Sequence, residues 1–220
     1  VVAAVSEMVT CGVSTRKVER VAASLGIDRM SASQVSRICE SLDDVVADLQ
    51  ERDLSGTSFP YIWVDATYVK CRDGGHVSSC ALVTAIGAGA DGYRRLLGLD
   101  AIDTESYAGW LAFLRSLRER GASGVLCVTS DAHEGLRRAI EEVFPGAAWQ
   151  RCIVHLERNV CSLLHAKRQR KAAGKVMQAV FAQENPAMVR AAYHAAIDAI
   201  SSFSQAAAGL LEDAEGDALA

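Results

Sequence analysis

Apolar residues recur three and four apart through the first fifty positions, and the pattern divides into three helical segments. "VVAAVSEMVTCG" is apolar with a helical period and stops at Gly12. "STRKVERVAASLG" opens on the cap-type Ser14 and stops at Gly26, and "SASQVSRICESLDDVVADLQER" opens on Ser31. "RDLSGTSFP", polar and closed by Pro60, predicts a linker. The texture then changes to strands. "YIWVDATYVKC" and "HVSSCALVTAIGA" flank the turn signal "RDGG" and predict a hairpin, and "ADG" turns the chain into "YRRLLGLDAI". "TESYAGWLAFLRSLRERG" places Tyr107, Trp110, Leu111, Leu114 and Leu117 on one helical stripe, closed by Gly121. "GVLCVTSD" predicts a short buried strand, "EGLRRAIEEVF" a helix and "AAWQRCIV" another short strand. From about His155 onward every segment reads as helix.

The order β-β-β-α-β-α-β is that of the ribonuclease H-like fold, an α/β architecture whose mixed sheet sets the first and fourth strands side by side at its centre. Three parts are therefore expected: a helical, helix-turn-helix-like unit over 1–55, a ribonuclease H-like core over 60–155, and an all-helical insertion over 156–220.

Composition changes little in this picture. Half of the 220 residues are apolar and 23% are charged, which fits a globular chain. No apolar stretch approaches the roughly 20 residues that span a bilayer, so no membrane partner is expected. The start "VVAAVSEMV" has neither a basic leader nor a methionine, so we expect no signal peptide, a missing beginning and a cytoplasmic location. Seven cysteines, odd in number and without a CxxC pair, fit buried thiols in a reducing compartment better than a disulfide framework.

Local charge says more than the net −4. Residues 151–175 hold seven Lys and Arg, among them Lys167, Arg168, Arg170 and Lys171, against the single acid Glu157. That run is either a solvated face or a track for phosphates. In the N-terminal unit, a helix carrying Arg16 and Lys17, a glycine-containing turn and a second helix carrying Ser33, Gln34, Ser36 and Arg37 near its start fit a helix-turn-helix. Early residues of the second helix would then face base edges in the major groove. An ordinary helical hairpin would show the same pattern.

Two aspartates carry the candidate chemistry. "YIWVDATYV" alternates poorly around Asp65, which therefore reads as a carboxylate within an apolar strand, where it needs a partner or a metal. Asp131 ends the fourth strand, 66 residues later, and the topology brings the two together. Capping the helix that follows is the plainer role for Asp131. Two neighbouring carboxylates repel unless a cation lies between them, and Mg²⁺ or Mn²⁺ suits such a site. Cys152 and His155 would be half of a zinc site, but no second pair has suitable spacing. Trp149, Gln150 and His155 are better placed to hydrogen-bond near the carboxylates.

"SDAHEGLRRAI", "FPGAAWQRCIVHLERNV", "WVDATYVKCRDGG" and "RRLLGLD" together resemble the mutator-type insertion-sequence transposases, a bacterial family of DDE recombinases. "GVSTRKVERVAASLG" and "MSASQVSRICESLD" resemble that family's DNA-binding segment. The resemblance implies a divalent-metal enzyme that cuts at element ends and joins them to target DNA. Its partners would be the terminal inverted repeats, the target DNA and further copies of itself. It implies that Asp65 and Asp131 are the first two acids of the triad and that Cys152 and His155 are the C-x-x-H signature supporting the site. The third acid, a glutamate in a Thr-Asn motif, has no counterpart here. Glu184, Glu212 and Glu215 stand in other contexts, so a truncated and inactive chain is expected. The rival readings are a ribonuclease H-like nuclease without strand transfer and a non-enzymatic helix-turn-helix regulator.

Overall fold

The computed structural model describes residues 2–11, 13–24, 26–27, 30–73 and 76–220. The expected helix stop at Gly12 and the turn glycines Gly74 and Gly75 lie outside the described residues. The chain separates into two compact units, Val1–Arg52 and Asp53–Ala220.

The first unit contains α1 (Val2–Thr10), α2 (Thr15–Ser24) and α3 (Ala32–Glu51). Each gives one valine to a small core, Val5, Val18 and Val35, with Met8, Val9 and Ile38 packed around them. Gly26 takes φ +76° after α2, a conformation that L side chains rarely adopt, and so ends that helix. Ser31 caps α3 by accepting the Gln34 amide, and the Gln34 side chain accepts the Ser31 amide in return.

The second unit is built on a five-stranded sheet in the order β3-β2-β1-β4-β5. Its strands are β1 (Tyr61–Asp73), β2 (His76–Ala88), β3 (Arg94–Ile102), β4 (Cys127–Ser130) and β5 (Ala148–Arg151). β1, β2 and β3 pair antiparallel, whereas β1 with β4 and β4 with β5 pair parallel. The first and fourth strands are thus neighbours, as the ribonuclease H-like order requires.

Strand alternation turns Ile62, Val64, Ala81, Val83, Ala85, Leu97 and Val128 to one face, where they form a core with α4 (Tyr107–Glu119) and α5 (Glu134–Val143). The α4 stripe buries Trp110, Leu114 and Leu117 as expected, and adds Phe113. Gly121, at φ +101°, closes α4. A side chain there would come within 2.7 Å of the Ser55 backbone, so glycine lets the linker lie against the turn.

A second core belongs to the helical part, α6 (Ile153–Ser162), α7 (Lys167–Phe181), α8 (Pro186–Ser201) and α9 (Gln205–Ala218). Leu156, Met177, Tyr193, Ile200 and Leu211 are buried in it. It is fastened back to the sheet where the Gln150 side chain donates to the Ala218 carbonyl at 3.3 Å and Arg137 on α5 faces Asp217 on α9 at 3.9 Å.

Three expectations need correction. "AAWQRCIV" is strand only to Arg151, because Ile153 and Val154 already belong to α6, whose buried residues continue at Leu156 and Val160 with a helical period. β4 ends at Ser130, one residue before Asp131. Cys71 and Cys80 are joined as a disulfide between β1 and β2, and the free cysteines are exposed or half-buried instead of buried.

Candidate active site

The parallel pairing of β1 with β4 sets Tyr61 opposite Cys127, Ile62 opposite Val128 and Trp63 opposite Thr129. The recorded pairing ends at Trp63 and Thr129; β1 runs on through Asp65, and Asp131 follows β4 by one residue, so the two aspartates stand at the same end of this strand pair. Asp65 has the parity of Tyr61 and Trp63 and so lies on the face opposite the α4–α5 core. Contrary to the sequence expectation, Asp65 is exposed. β1 alternates cleanly, with Ile62 and Val64 inward and Tyr61, Trp63 and Asp65 outward. The carboxylate therefore carries no burial penalty that a metal would have to offset.

Asp131 is half-buried, and its backbone is held from two directions. The Trp149 indole donates to the Ser130 hydroxyl at 2.9 Å, and that hydroxyl donates to the Asp131 carbonyl at 2.9 Å. The Cys152 amide donates to the Ser130 carbonyl at 2.6 Å. Ser130 is 1% exposed, so this relay works away from competing water. Arg137 lies over the Trp149 ring, 4.9 Å from its centroid. The capping role open to Asp131 is filled by His133, whose Nδ1 accepts the Leu136 amide at 3.2 Å.

Among the described residues, no hydrogen bond or ion pair engages either side-chain carboxylate; the Thr84 hydroxyl, across the sheet, donates to the Asp65 backbone carbonyl. Two open carboxylates at one end of a strand pair are hard oxygen donors of the kind a small divalent ion takes while keeping waters for a phosphate. They form an incomplete set, since no three or more His, Cys, Asp or Glu among the described residues gather where they could hold a metal.

Cys152 follows β5, whose last residue Arg151 pairs with Ser130, and His155 lies in the first turn of α6. Cys152 occupies the N-cap position of α6 without a side-chain capping bond. His155 sits in the first turn with Nε2 3.5 Å from the Arg158 guanidinium and with a buried Nδ1 that has no partner among the described residues. Trp149 supports Asp131 through Ser130, whereas Gln150 turns to the α9 terminus.

The glutamates named as substitutes for a third acid are elsewhere. Glu215 on α9 accepts from His194 at 3.0 Å and from Arg190 at 2.8 Å, and the His194 hydrogen bond, followed by Arg190, holds its carboxyl below the usual range. Glu184 lines a cleft of about 310 Å³ with Gln150, Asn185, Arg190 and Leu219. Glu212 is exposed on α9.

The basic residues divide by their engagements. Lys167, Arg168, Lys171 and Lys175 are exposed on α7, within about a third of its circumference and away from the buried Ala173, Met177 and Val180. Arg170 instead donates to the carbonyls of Leu164 and His165 and so closes the α6–α7 turn. In the first unit Arg16, Lys17, Ser36 and Arg37 are exposed, while Gln34 and Ser33 bond to Ser31 at the start of α3. Sequence reasoning missed Ser130 and His133. The proton acceptor beside a short strand, S/T-D-x-H before a helical period, was the available signal for both.

Among the described residues no helix is long and apolar enough to cross a membrane. A family model described as transposase, Mutator family, matches residues 1–220. The chain is 38% identical to the transposase for insertion sequence element IS1081 of Mycobacterium tuberculosis, over 98% of this chain and 52% of that protein. It is 43% identical to the transposase for insertion sequence element ISRM5 of Rhizobium meliloti, over 76% of this chain and 42% of that one. The chain thus spans about half the length of the curated relatives it matches. A Drosophila P element transposase strand transfer complex aligns with 99% of this chain and 63% of its own at 14% identity, with a TM-score of 0.43.

Proposed function

Because the chain belongs to the Mutator family of transposases, we propose that it supplies two metal-binding carboxylates and part of the DNA-binding surface of an insertion-sequence transposase. The observation that supports this reading is that Asp65 on β1 and Asp131, one residue past β4, stand at the same end of the central strand pair with no side-chain partner among the described residues. The substrates are an element end and a target DNA, and the working assembly is a homo-oligomer.

The reaction is phosphodiester hydrolysis followed by transesterification. In the first step a water oxygen bonds to phosphorus, the P–O3′ bond breaks, and the proton lost by water is balanced by one gained on the released 3′ oxygen. In the second, that 3′-hydroxyl oxygen bonds to a target phosphorus and displaces the target's own 3′ oxygen, again with one proton lost and one gained. Asp65 and Asp131 would hold Mg²⁺ or Mn²⁺, which supplies charge to the attacking and leaving oxygens when bound. The Trp149–Ser130 relay fixes where Asp131 stands. Cys152 and His155 support that relay from the start of α6. Arg16, Lys17, Ser36 and Arg37 would meet one stretch of DNA, with Ser33 and Gln34 contributing through the geometry of the α3 start. Lys167, Arg168 and Lys171 would hold phosphates, and Arg170 positions the helix that carries them. The third carboxylate is proposed to come from the part of the full-length protein outside these 220 residues, consistent with relatives about twice as long.

The test is titration of Mn²⁺ into residues 1–220, as wild type and as Asp65→Asn, beside cleavage of a terminal-repeat duplex by this chain and by the complete protein. One weak Mn²⁺ site lost in Asp65→Asn, with cleavage by the complete protein alone, is expected. Unchanged Mn²⁺ binding in the variant removes Asp65 from the site. Equal cleavage by both proteins would place the third ligand among Glu184, Glu212 and Glu215.

A further inference from the structure

The open face of the sheet carries a row that crosses all five strands. Leu96 on β3 pairs with Ile86 on β2, Ile86 with Trp63 on β1, Trp63 with Thr129 on β4, and Thr129 with Gln150 on β5. Residues paired directly across strands project to the same side, so these five form a continuous band. Its two ends differ. At β5 the helical part comes down onto the band, where the Gln150 side chain donates to the Ala218 carbonyl at the end of α9, and Thr129 and Gln150 are half-buried. At the other end Trp63, Ile86 and Leu96 stand exposed, with the Arg94 guanidinium over the Trp63 ring, 5.4 Å from its centroid.

Apolar residues scattered singly on a surface need no explanation, whereas a contiguous row of three points to a contact site. The row has the dimensions of one kind of cover. From β1 to β3 is two strand spacings, about 10 Å, which is the width of one helix with its side chains. The opposite face of the same strands is closed by helices, α4 and α5. What the row offers is apolar area with a single guanidinium, whereas a nucleic-acid backbone is drawn by clustered cations. The curated relatives are about twice as long as this chain, and the other half of a relative is long enough to provide a helix.

We infer that Trp63, Ile86 and Leu96 seat an amphipathic helix supplied by the full-length protein from outside residues 1–220. The inference rests on the reading of this chain as part of a longer transposase. Asp65 lies two residues from Trp63 on the same face, about 7 Å along β1, so a helix seated on the row also forms a wall beside that carboxylate. Seating it removes water from one side of Asp65, where attraction to a cation is then less screened. Arg94 keeps its charged head at the rim of the contact while its stem lies along the apolar row.

The test is chemical labelling. Ile86→Cys, introduced into residues 1–220 and into the complete protein, is treated with a maleimide and quantified at that position by peptide mass spectrometry. Labelling should be rapid in residues 1–220 and at least about tenfold slower in the complete protein, with neither DNA nor metal present. Adding Leu96→Asp to the complete protein should restore the rapid rate, because a charged group resists burial in the row. A second measurement needs no added cysteine. The Trp63 share of tryptophan emission, taken as wild type minus Trp63→Phe, should lie at shorter wavelength in the complete protein than in residues 1–220. Equally rapid labelling in the two proteins overturns the inference, and so does slow labelling already present in residues 1–220. Protection that arises only with a terminal-repeat duplex assigns the row to DNA, and protection lost on dilution assigns it to a second copy; either result overturns it as well. Asp65→Asn should leave the protection in place, so this inference and the metal reading fail separately.

Discussion

The two faces of the central sheet differ in what they ask of the same strands. On one, Ile62, Val64, Val83, Leu97 and Val128 are closed off by α4 and α5. On the other, Trp63, Ile86 and Leu96 stand in a cross-strand row at 37%, 40% and 37% exposure, and Asp65 lies two residues along from Trp63. Along Tyr61–Asp65 the residues of β1 therefore alternate between the packed face and the open one, and neighbours in sequence belong to different faces. Stability and activity should separate cleanly between adjacent positions.

The largest expected effect breaks function without touching the fold. Asp65→Asn or Asp131→Asn in the complete protein should lower cleavage by several orders of magnitude. Neither carboxylate has a partner among the described residues, so unfolding free energy should move by no more than about 0.5 kcal/mol. A variant that cleaves normally, or that melts well below the parent, would erase the distinction between the faces.

The converse comes from the covered face. Trp110 is fully buried in the α4 stripe, and Trp110→Ala should destabilise the second unit by about 3–5 kcal/mol in urea denaturation. Loss of less than about 1 kcal/mol would mean that this face is not what holds the sheet.

Helix α7 repeats the division on a smaller scale, with Ala173, Met177 and Val180 inward and a basic stripe outward. Changing Lys167, Arg168 and Lys171 to Gln should flatten the slope of log affinity against log salt by about 2–3 and leave sequence preference intact. An unchanged slope would identify the stripe as a solvated surface. Arg170→Gln should do less to the slope and more to stability, because that guanidinium closes a turn.

The smallest effect concerns pH. Glu215 is held below its ordinary carboxyl value of 4.5 by His194 and Arg190. A depressed carboxylate stabilises the fold above its unfolded value and ceases to do so as pH falls through its folded value. The α8–α9 fastening should therefore weaken below about pH 4.5, and Glu215→Gln should remove that part of the acid dependence. Identical acid melting curves for the two proteins would dismiss the ion pair as a contributor.

Much of this arrangement was legible because the sequence states its periods strongly. The hairpin, the α4 stripe and the strand order followed from alternation and turn residues. Asp65 was located correctly but for the wrong physical reason: Tyr61 and Trp63 are apolar yet face outward, which hid the alternation and made the aspartate look buried. The start of α6 was misplaced because the apolar pair Ile153–Val154 suits a strand and a helix equally, and only the buried Leu156 and Val160 decide between them. Asp131 appeared able to cap α5 because aspartate is the commoner cap, and nothing local says that a histidine will take its place. A serine followed three residues later by glutamine also spells a self-closing cap, and Ser33 and Gln34 do bond to Ser31 at the start of α3.

The helical segment leaves the sheet at Cys152 and returns beside Gln150, with the Ala218 carbonyl bonded to that side chain. Within these residues α6–α9 leaves from and comes back beside the same strand, as a detour from it. Doubling such a detour adds only about 0.6 kcal/mol of closure entropy. Selection can therefore lengthen, shorten or exchange α6–α9 to suit a different DNA while leaving Asp65 and Asp131 where they are. The region most free to diversify is joined to the part least able to, through Gln150 at the end of the sheet and the Arg137–Asp217 contact.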